Sequence, residues 1–169
     1  MKNAVLLTIL AGCISAGCAS YRFGNPVPES RRRLAVPVFA NAVNQAEAEA
    51  VVTEALRREI IREGSFTLTP ADRAALTLTG TVTGYTLKPI RYEQNTSSTP
   101  VEYRATLTAQ VTLVDATTGA VVVTAFTQTS ETTVAAGADL QTAKASALHR
   151  AAQSLARSIL LEAVTRCSE

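Results

Sequence analysis

The sequence predicts an α+β domain, with two helices packed on one face of a mixed, largely antiparallel sheet. Three observations predict it. Residues 76–87, 101–113 and 120–129 alternate apolar and polar side chains, the period of a half-buried strand. Residues 46–63 and the stretch beginning at Asp139 instead repeat apolar side chains at i, i+4, the period of an amphipathic helix. A chain of 169 residues, 47% hydrophobic and 18% charged, is too apolar to be disordered and too short for two full cores.

The N-terminus stands apart from this domain. Met1-Lys2-Asn3 is a short positive start and Ala4 to Leu10 is an apolar run. The run is too short for a membrane-spanning helix, which needs about 20 residues. Small residues then lead to Cys13 and Cys18, each preceded by Ala-Gly, the layout of a bacterial lipoprotein signal. Leu10-Ala11-Gly12-Cys13 matches the usual consensus better. Cys18 leaves the longer apolar core and a signal of 17 residues, and it is the preferred acylated residue. An ordinary signal with unmodified cysteines, or a disulfide, is the alternative. Acyl chains such as palmitate, at about 0.8 kcal/mol per buried CH2, give stable anchoring when several act together. Removing residues 1–17 leaves 152 residues and lowers the net charge from +2 to +1, because only Lys2 is lost. Cys167 reads as a helix-end thiol.

The mature chain then divides into a tether over residues 18–33 and a single domain over 34–169. The tether carries Gly24, Pro26 and Pro28 and ends in Arg31-Arg32-Arg33. It reads as a solvated linker or as a contact for anionic lipid or glycolipid. Leu34 to Phe39 is a short strand whose Pro37 suits an edge position. Asn41 to Asn44 provide caps for the first helix, where Ala48, Val52, Leu56 and Ile60 form the apolar stripe and Gly64 the stop. Glu54 and Arg58 form an i, i+4 pair. Ser65 to Thr69 is a second strand closed by Pro70, followed by a turn over 71–75.

From Leu76 to Leu87, Leu76, Leu78, Gly80 and Val82 share one face and four threonines the other. Thr suits a strand because its branched carbon fits the pleat. Gly80 and Gly84 mark a bulge, a bend or a close backbone contact. The polar stretch from Lys88 to Pro100 reads as a loop. Val101 to Leu113 and Ala120 to Thr129 form a long hairpin around an Asp115–Gly119 turn, with one buried and one wet face. Asp139 is the expected N-cap of the last helix, whose Ala143, Ala147, Ala151, Leu155, Ile159 and Ala163 let it lie close to a sheet.

Composition also bounds function. A net charge of +2 argues against a nucleic-acid-binding surface. His149 is the only histidine, which excludes a multi-histidine metal site and leaves any Ser-His-Asp triad dependent on that residue. It reads as a rim residue of the last helix. The sequence has no phosphate-binding glycine loop and no metal-ligand spacing. The reading is therefore a non-enzyme with no cofactor and no metal. One constellation invites a ligand: Lys88 and Arg91 beside Tyr85 and Tyr92, a cationic and aromatic cluster suited to the phosphates and sugars of a glycolipid. An exposed loop with scattered charges is the alternative. The Thr-rich sheet faces suit either solvent or a wet protein lumen.

The order of short motifs resembles the LptE family of lipopolysaccharide-assembly lipoproteins. They are Cys18-Ala19-Ser20-Tyr21-Arg22-Phe23-Gly24, Leu34-Ala35-Val36-Pro37-Val38-Phe39-Ala40-Asn41, Leu56-Arg57-Arg58-Glu59, Leu78-Thr79-Gly80-Thr81-Val82, Glu102-Tyr103-Arg104 and Val111-Thr112-Leu113-Val114-Asp115. The resemblance favours Cys18, although Ala19-Ser20 stands where one Gly is often found. It implies a lipoprotein anchored on the periplasmic face of the outer membrane. Such a protein plugs and helps assemble the LptD β-barrel and binds lipopolysaccharide partly through basic residues. Lys88 and Arg91 are the candidates here from their own chemistry alone. A second class, a cell-wall synthase regulator or a curli-type secretion subunit, also shows a strand like Val36 to Phe39 followed by a helix.

Overall fold

The computed structural model describes residues 25–93, 96–136 and 140–168. Cys13, Cys18 and Asp139, and with them the anchor and the expected N-cap, lie outside the described residues. The described elements are strands β1 (Arg33–Ala35) and β2 (Ala40–Asn41), helix α1 (Ala48–Glu63), and strands β3 (Thr67–Leu68), β4 (Leu76–Glu93), β5 (Thr96–Asp115) and β6 (Val121–Ala135). Helix α2 (Leu140–Ser168) follows, and single 3-10 turns occupy Glu29–Arg31 and Ala71–Arg73. The sheet runs β3-β1-β4-β5-β6, with β2 beside β4. The short strands β1, β2 and β3 pair in parallel, whereas β4, β5 and β6 form an antiparallel meander. Both helices pack on one face, so the predicted α+β architecture is the observed one.

Pairing gives the molecule a base and a tip. Leu34 and Ala35 of β1 lie against Leu76 and Thr77, and β2 lies against Thr81 and Val82. All the short strands therefore flank the first seven residues of β4. Beyond a register shift at Val82/Gly84, only β4, β5 and β6 continue, and past the Glu102–Ala135 pair only β4 and β5 remain. At about 3.3 Å per residue, the 20 residues of β5 span roughly 60 Å. Both helices run from tip towards base, because each follows a strand that runs the other way.

The core lies between the helices and the inner sheet face. Leu34, Leu76, Leu78, Val82, Leu107, Val111 and Leu113 meet Val52, Leu56 and Ile60 of α1 and Leu155, Ile159 and Leu160 of α2. The alanines of α2 that bring it close to the sheet, Ala147, Ala151, Ala152 and Ala156, are fully buried. Ser130 on β6 satisfies its buried hydroxyl by donating to the carbonyl of Ala151 at 2.8 Å.

The structure corrects several sequence expectations. Leu34 to Phe39 is not one strand. Pro37 has no N–H to give a ladder, so β1 stops at Ala35 and pairing resumes only at Ala40. Side chains satisfy the gap. Arg57 donates through Nε and Nη2 to the Val36 carbonyl at 3.1 and 2.7 Å, and the Phe39 N–H donates to Thr53 Oγ1 at 3.0 Å. The Phe39 ring lies over Gly80, where a Cβ would come 2.3 Å from ring carbon Cε2. Gly80 is thus a close-approach glycine, and the bulge sits beside Gly84.

The start of α1 differs too. Its N-cap position is Glu47, in left-handed geometry at φ 63 with no side-chain cap. Asn41 instead shapes the approach: its amide donates to Gln45 O and Glu49 Oε2 and its Oδ1 accepts from the Val43 N–H. Gly64 ends α1 as expected, in left-handed geometry with its N–H on the Ile60 carbonyl. Glu54 and Arg58 come only to 3.9 Å. The closer partner in that helix is Glu59, which Arg62 bonds and Arg157 of α2 approaches at 4.0 Å. The chain also joins the body before residue 34: Val27 is in the core, and Asn25 donates to the carbonyl of Ser65 at 2.9 Å.

Candidate functional site

The largest correction concerns the segment expected as a loop. Residues 88–93 continue β4 and residues 96–100 begin β5, so Lys88 and Arg91 sit on a hairpin arm. Register then decides their neighbours. Lys88 lies opposite Arg104, and Arg91 lies opposite Glu102. Residues opposite each other in an antiparallel pair share a face, so these four side chains share the face away from the helices. Arg91 Nε reaches Glu102 Oε2 at 3.2 Å, and Arg104 Nε lies 3.9 Å from Glu131 Oε2 on β6. Lys88 makes no hydrogen bond or ion pair among the described residues. Two cations face each other with one of them unneutralised, an arrangement that costs free energy until an anion sits between them.

The sequence alone does not single out Arg104, which reads there as one polar position of an alternating strand. Folding the alternation of 76–87 antiparallel onto that of 101–113 is the signal that finds it. The aromatic partners separate from the cations. Tyr85 pairs with Leu107 and points to the helix side, where its hydroxyl is covered and has no hydrogen-bond partner among the described residues. That burial pushes its phenol pKa up. Tyr92 and Ile90 are exposed near the tip, where three successive register shifts and Pro89 make the hairpin irregular.

Towards the base the same open face is lined with hydroxyls. Thr108 and Thr129 hydroxyls meet at 3.0 Å, and Thr106 Oγ1 lies 3.4 Å from Glu131. Thr79, Thr81, Gln110 and Thr112 border a shallow groove of about 340 Å³ whose other wall is Pro37 and Val38. The face is polar and nearly uncharged along its length, and at its far end Lys88, Arg91 and Arg104 stand among Glu102 and Glu131. It can offer hydroxyl and amide hydrogen bonds to a polar wall and point charges to a phosphate.

The remaining predicted positions carry no such arrangement. His149 is exposed on α2, in keeping with a rim residue. No group of three or more metal-ligating side chains occurs among the described residues. Cys167 is buried at the end of α2, and burial raises its thiol pKa. No described helix is long and apolar enough to cross a membrane.

Comparison with known proteins follows the same lines. The LptE lipopolysaccharide-assembly family matches residues 31–162. No curated protein matches the chain. Among solved structures, a hypothetical protein from Chlamydia trachomatis is similar with a TM-score of 0.57 at 11% identity, covering 82% of this chain and 99% of that one. A protein from Xanthomonas campestris gives 0.55 at 14% identity, over 79% and 84% of the two chains. A minor lipoprotein from Acinetobacter baumannii gives 0.53 at 13% identity, over 80% and 94%. At these identities the likeness is one of fold.

Proposed function

Because the chain belongs to the LptE lipopolysaccharide-assembly family, we propose that it is a non-catalytic lipoprotein, acylated at Cys18 and held on the periplasmic face of the outer membrane. There it partners the LptD β-barrel as plug and assembly factor. The observation that carries this reading is the open sheet face, which is Thr-lined along its length and ends in Lys88, Arg91 and Arg104. The interior of a transmembrane barrel is polar, so a hydroxyl-rich face can lie against it without leaving buried polar groups unpaired. At the far end Lys88 and Arg104, as a facing pair with Arg91 beside them, then meet the phosphates of lipopolysaccharide.

The test has two parts. Replacing Lys88, Arg91 and Arg104 together by Ala should weaken binding of purified lipopolysaccharide by about tenfold for each cation removed. The same variant should still co-purify with the barrel in mild detergent. Unchanged lipopolysaccharide binding would refute the role of the tip. A tagged wild-type chain that never retains the barrel would refute the partnership.

A further inference from the structure

The described sheet has free edges at β3, along the far part of β4 and at β6, and they are not alike. β3 is two residues long, and Pro70 lies just beyond it. β1 and β2 cover the outer edge of β4 as far as Val82. Beyond that, the edge is broken by the register shift at Gly84 and carries Lys88, Pro89 and Arg91. Short length, bulges, proline and charge are the devices that stop an edge from accepting another strand. β6 has almost none of them. Val121–Ala135 contains no Pro, Gly, Lys or Arg, and Glu131 is its one charge. Its register with β5 is unbroken from Phe126 to Ala135, a length of about 30 Å.

The ladder shows which backbone groups this edge offers. The Ala136 N–H donates to the Val101 carbonyl at 2.9 Å, so that pair and every second pair towards Phe126 exchange both hydrogen bonds. Phe126, Gln128, Ser130, Thr132 and Val134 therefore direct their N–H and C=O groups to β5. Thr127, Thr129, Glu131 and Thr133 direct theirs outward, and β6 pairs with no second strand among the described residues. The side chains of those four residues are exposed and stand on the open sheet face.

We propose that the outer edge of β6, from Phe126 to Ala135, accepts an extended segment of the barrel protein as an additional strand. The proposal rests on the plug reading and deepens it. The edge is continuous with the Thr-lined face that meets the barrel, so it is enclosed with that face. An enclosed backbone N–H or C=O without a partner costs about as much as a lost hydrogen bond. Strand addition pairs the whole row at once. Strands of a closed wall are already paired on both sides, so the donor is a loop or terminal segment that enters the lumen. Its matching chemistry is β-branched residues beside the threonines and a basic residue beside Glu131, whose nearest cation, Arg104, is 3.9 Å away.

The test compares the full, processed chain alone with its co-expressed complex with the barrel, by hydrogen exchange read amide by amide. The amides of 127, 129, 131 and 133 should exchange about tenfold or more slower in the complex, whereas those of 128, 130 and 132 are protected in both. Thr129→Pro removes only an outward N–H and should reduce retention of the barrel severalfold more than Thr129→Val, which keeps it. Unchanged exchange at the four outward amides, or equal loss of retention in the two variants with native circular dichroism, would overturn the edge pairing and leave the plug reading standing. Slow outward amides in the isolated chain at every dilution would mean that its own residues cover the edge. Slow exchange that dilution abolishes would mean that a second copy does. Either result overturns the proposal. A wild-type chain that never retains the barrel would overturn the plug reading and the edge pairing with it.

Discussion

The base and the tip are built from the same strands but by different means. At the base, the inner sheet face is covered by both helices, and β1, β2 and β3 extend the sheet sideways. There Leu34, Leu56, Leu76, Leu78, Leu155 and Ile159 are fully buried. Towards the tip, α1 is absent and α2 alone covers the ribbon. Ala105 and Leu107 remain buried, but Tyr85, Leu87 and Tyr103 are only half covered. Stability therefore concentrates at one end and ligand chemistry at the other. Surface that contributes little to folding is free to carry unneutralised charge.

The sharpest way to break the comparison is to open a cavity at the base. Leu56→Ala should cost about 2–5 kcal/mol, the range for deleting a buried leucine side chain. Urea unfolding measures it. A loss below about 1 kcal/mol, well under that range, would mean that the base does not dominate stability. Gly80→Ala comes next. Its Cβ would strike the Phe39 ring, which must move or push the start of β2 away, and overpacking of this kind costs about 1–3 kcal/mol. Phe39→Leu combined with Gly80→Ala should recover part of that cost, and strict additivity would show that the two residues do not collide.

A smaller effect tests the gap in the sheet. Thr53 Oγ1 accepts the Phe39 N–H and donates to Glu49 O at 2.6 Å. Thr53→Val keeps the shape but leaves the buried N–H unpaired, a cost of about 1–3 kcal/mol towards its lower end, since the N–H can move to water. Fast hydrogen exchange at the Phe39 amide would accompany it.

Acid probes Glu59. Its folded pKa is lowered, so its contribution to stability is present above the unfolded carboxylate pKa and is lost as pH falls through the folded value. The window is therefore the acid side, below about pH 4.5. The arginines that hold it are well exposed, which keeps the contribution to about 0.2–1 kcal/mol. Glu59→Gln should flatten the acid limb of the stability curve and leave the neutral plateau slightly lower. An unchanged acid limb would remove Glu59 from the account.

Much of the base was legible in the sequence and less of the tip. The i, i+4 stripe of α1, the small-residue stripe of α2 and the alternation of 101–113 each follow from burial, and burial is local in period. Pairing is not local. Nothing in the composition of 88–100 distinguishes a loop from two strand arms, because strands with no core to cover lose their apolar alternation. Arg104 was hidden for the same reason, since only the β4–β5 register places it opposite Lys88. The break at Pro37 was visible, but the compensating Arg57 and Thr53 lie on a helix, 21 and 14 residues from the groups they satisfy.

The smallest expected effect has the opposite sign and separates the two ends most cleanly. Lys88 faces Arg104 across the hairpin and makes no ion pair of its own among the described residues. Lys88→Glu replaces a like-charge pair with an opposite-charge pair, worth about 0.2–1 kcal/mol in favour of folding at an exposed site. The gain should shrink as salt is raised, because exposed charges are screened over about 10 Å at 0.1 M. Lipopolysaccharide binding should fall in the same variant, since the new carboxylate repels phosphate and draws Arg104 to itself. A variant that folds better and binds worse assigns the Lys88 charge to the ligand. One that loses stability would instead make Lys88 part of the hairpin's structure and erase the division between the two ends.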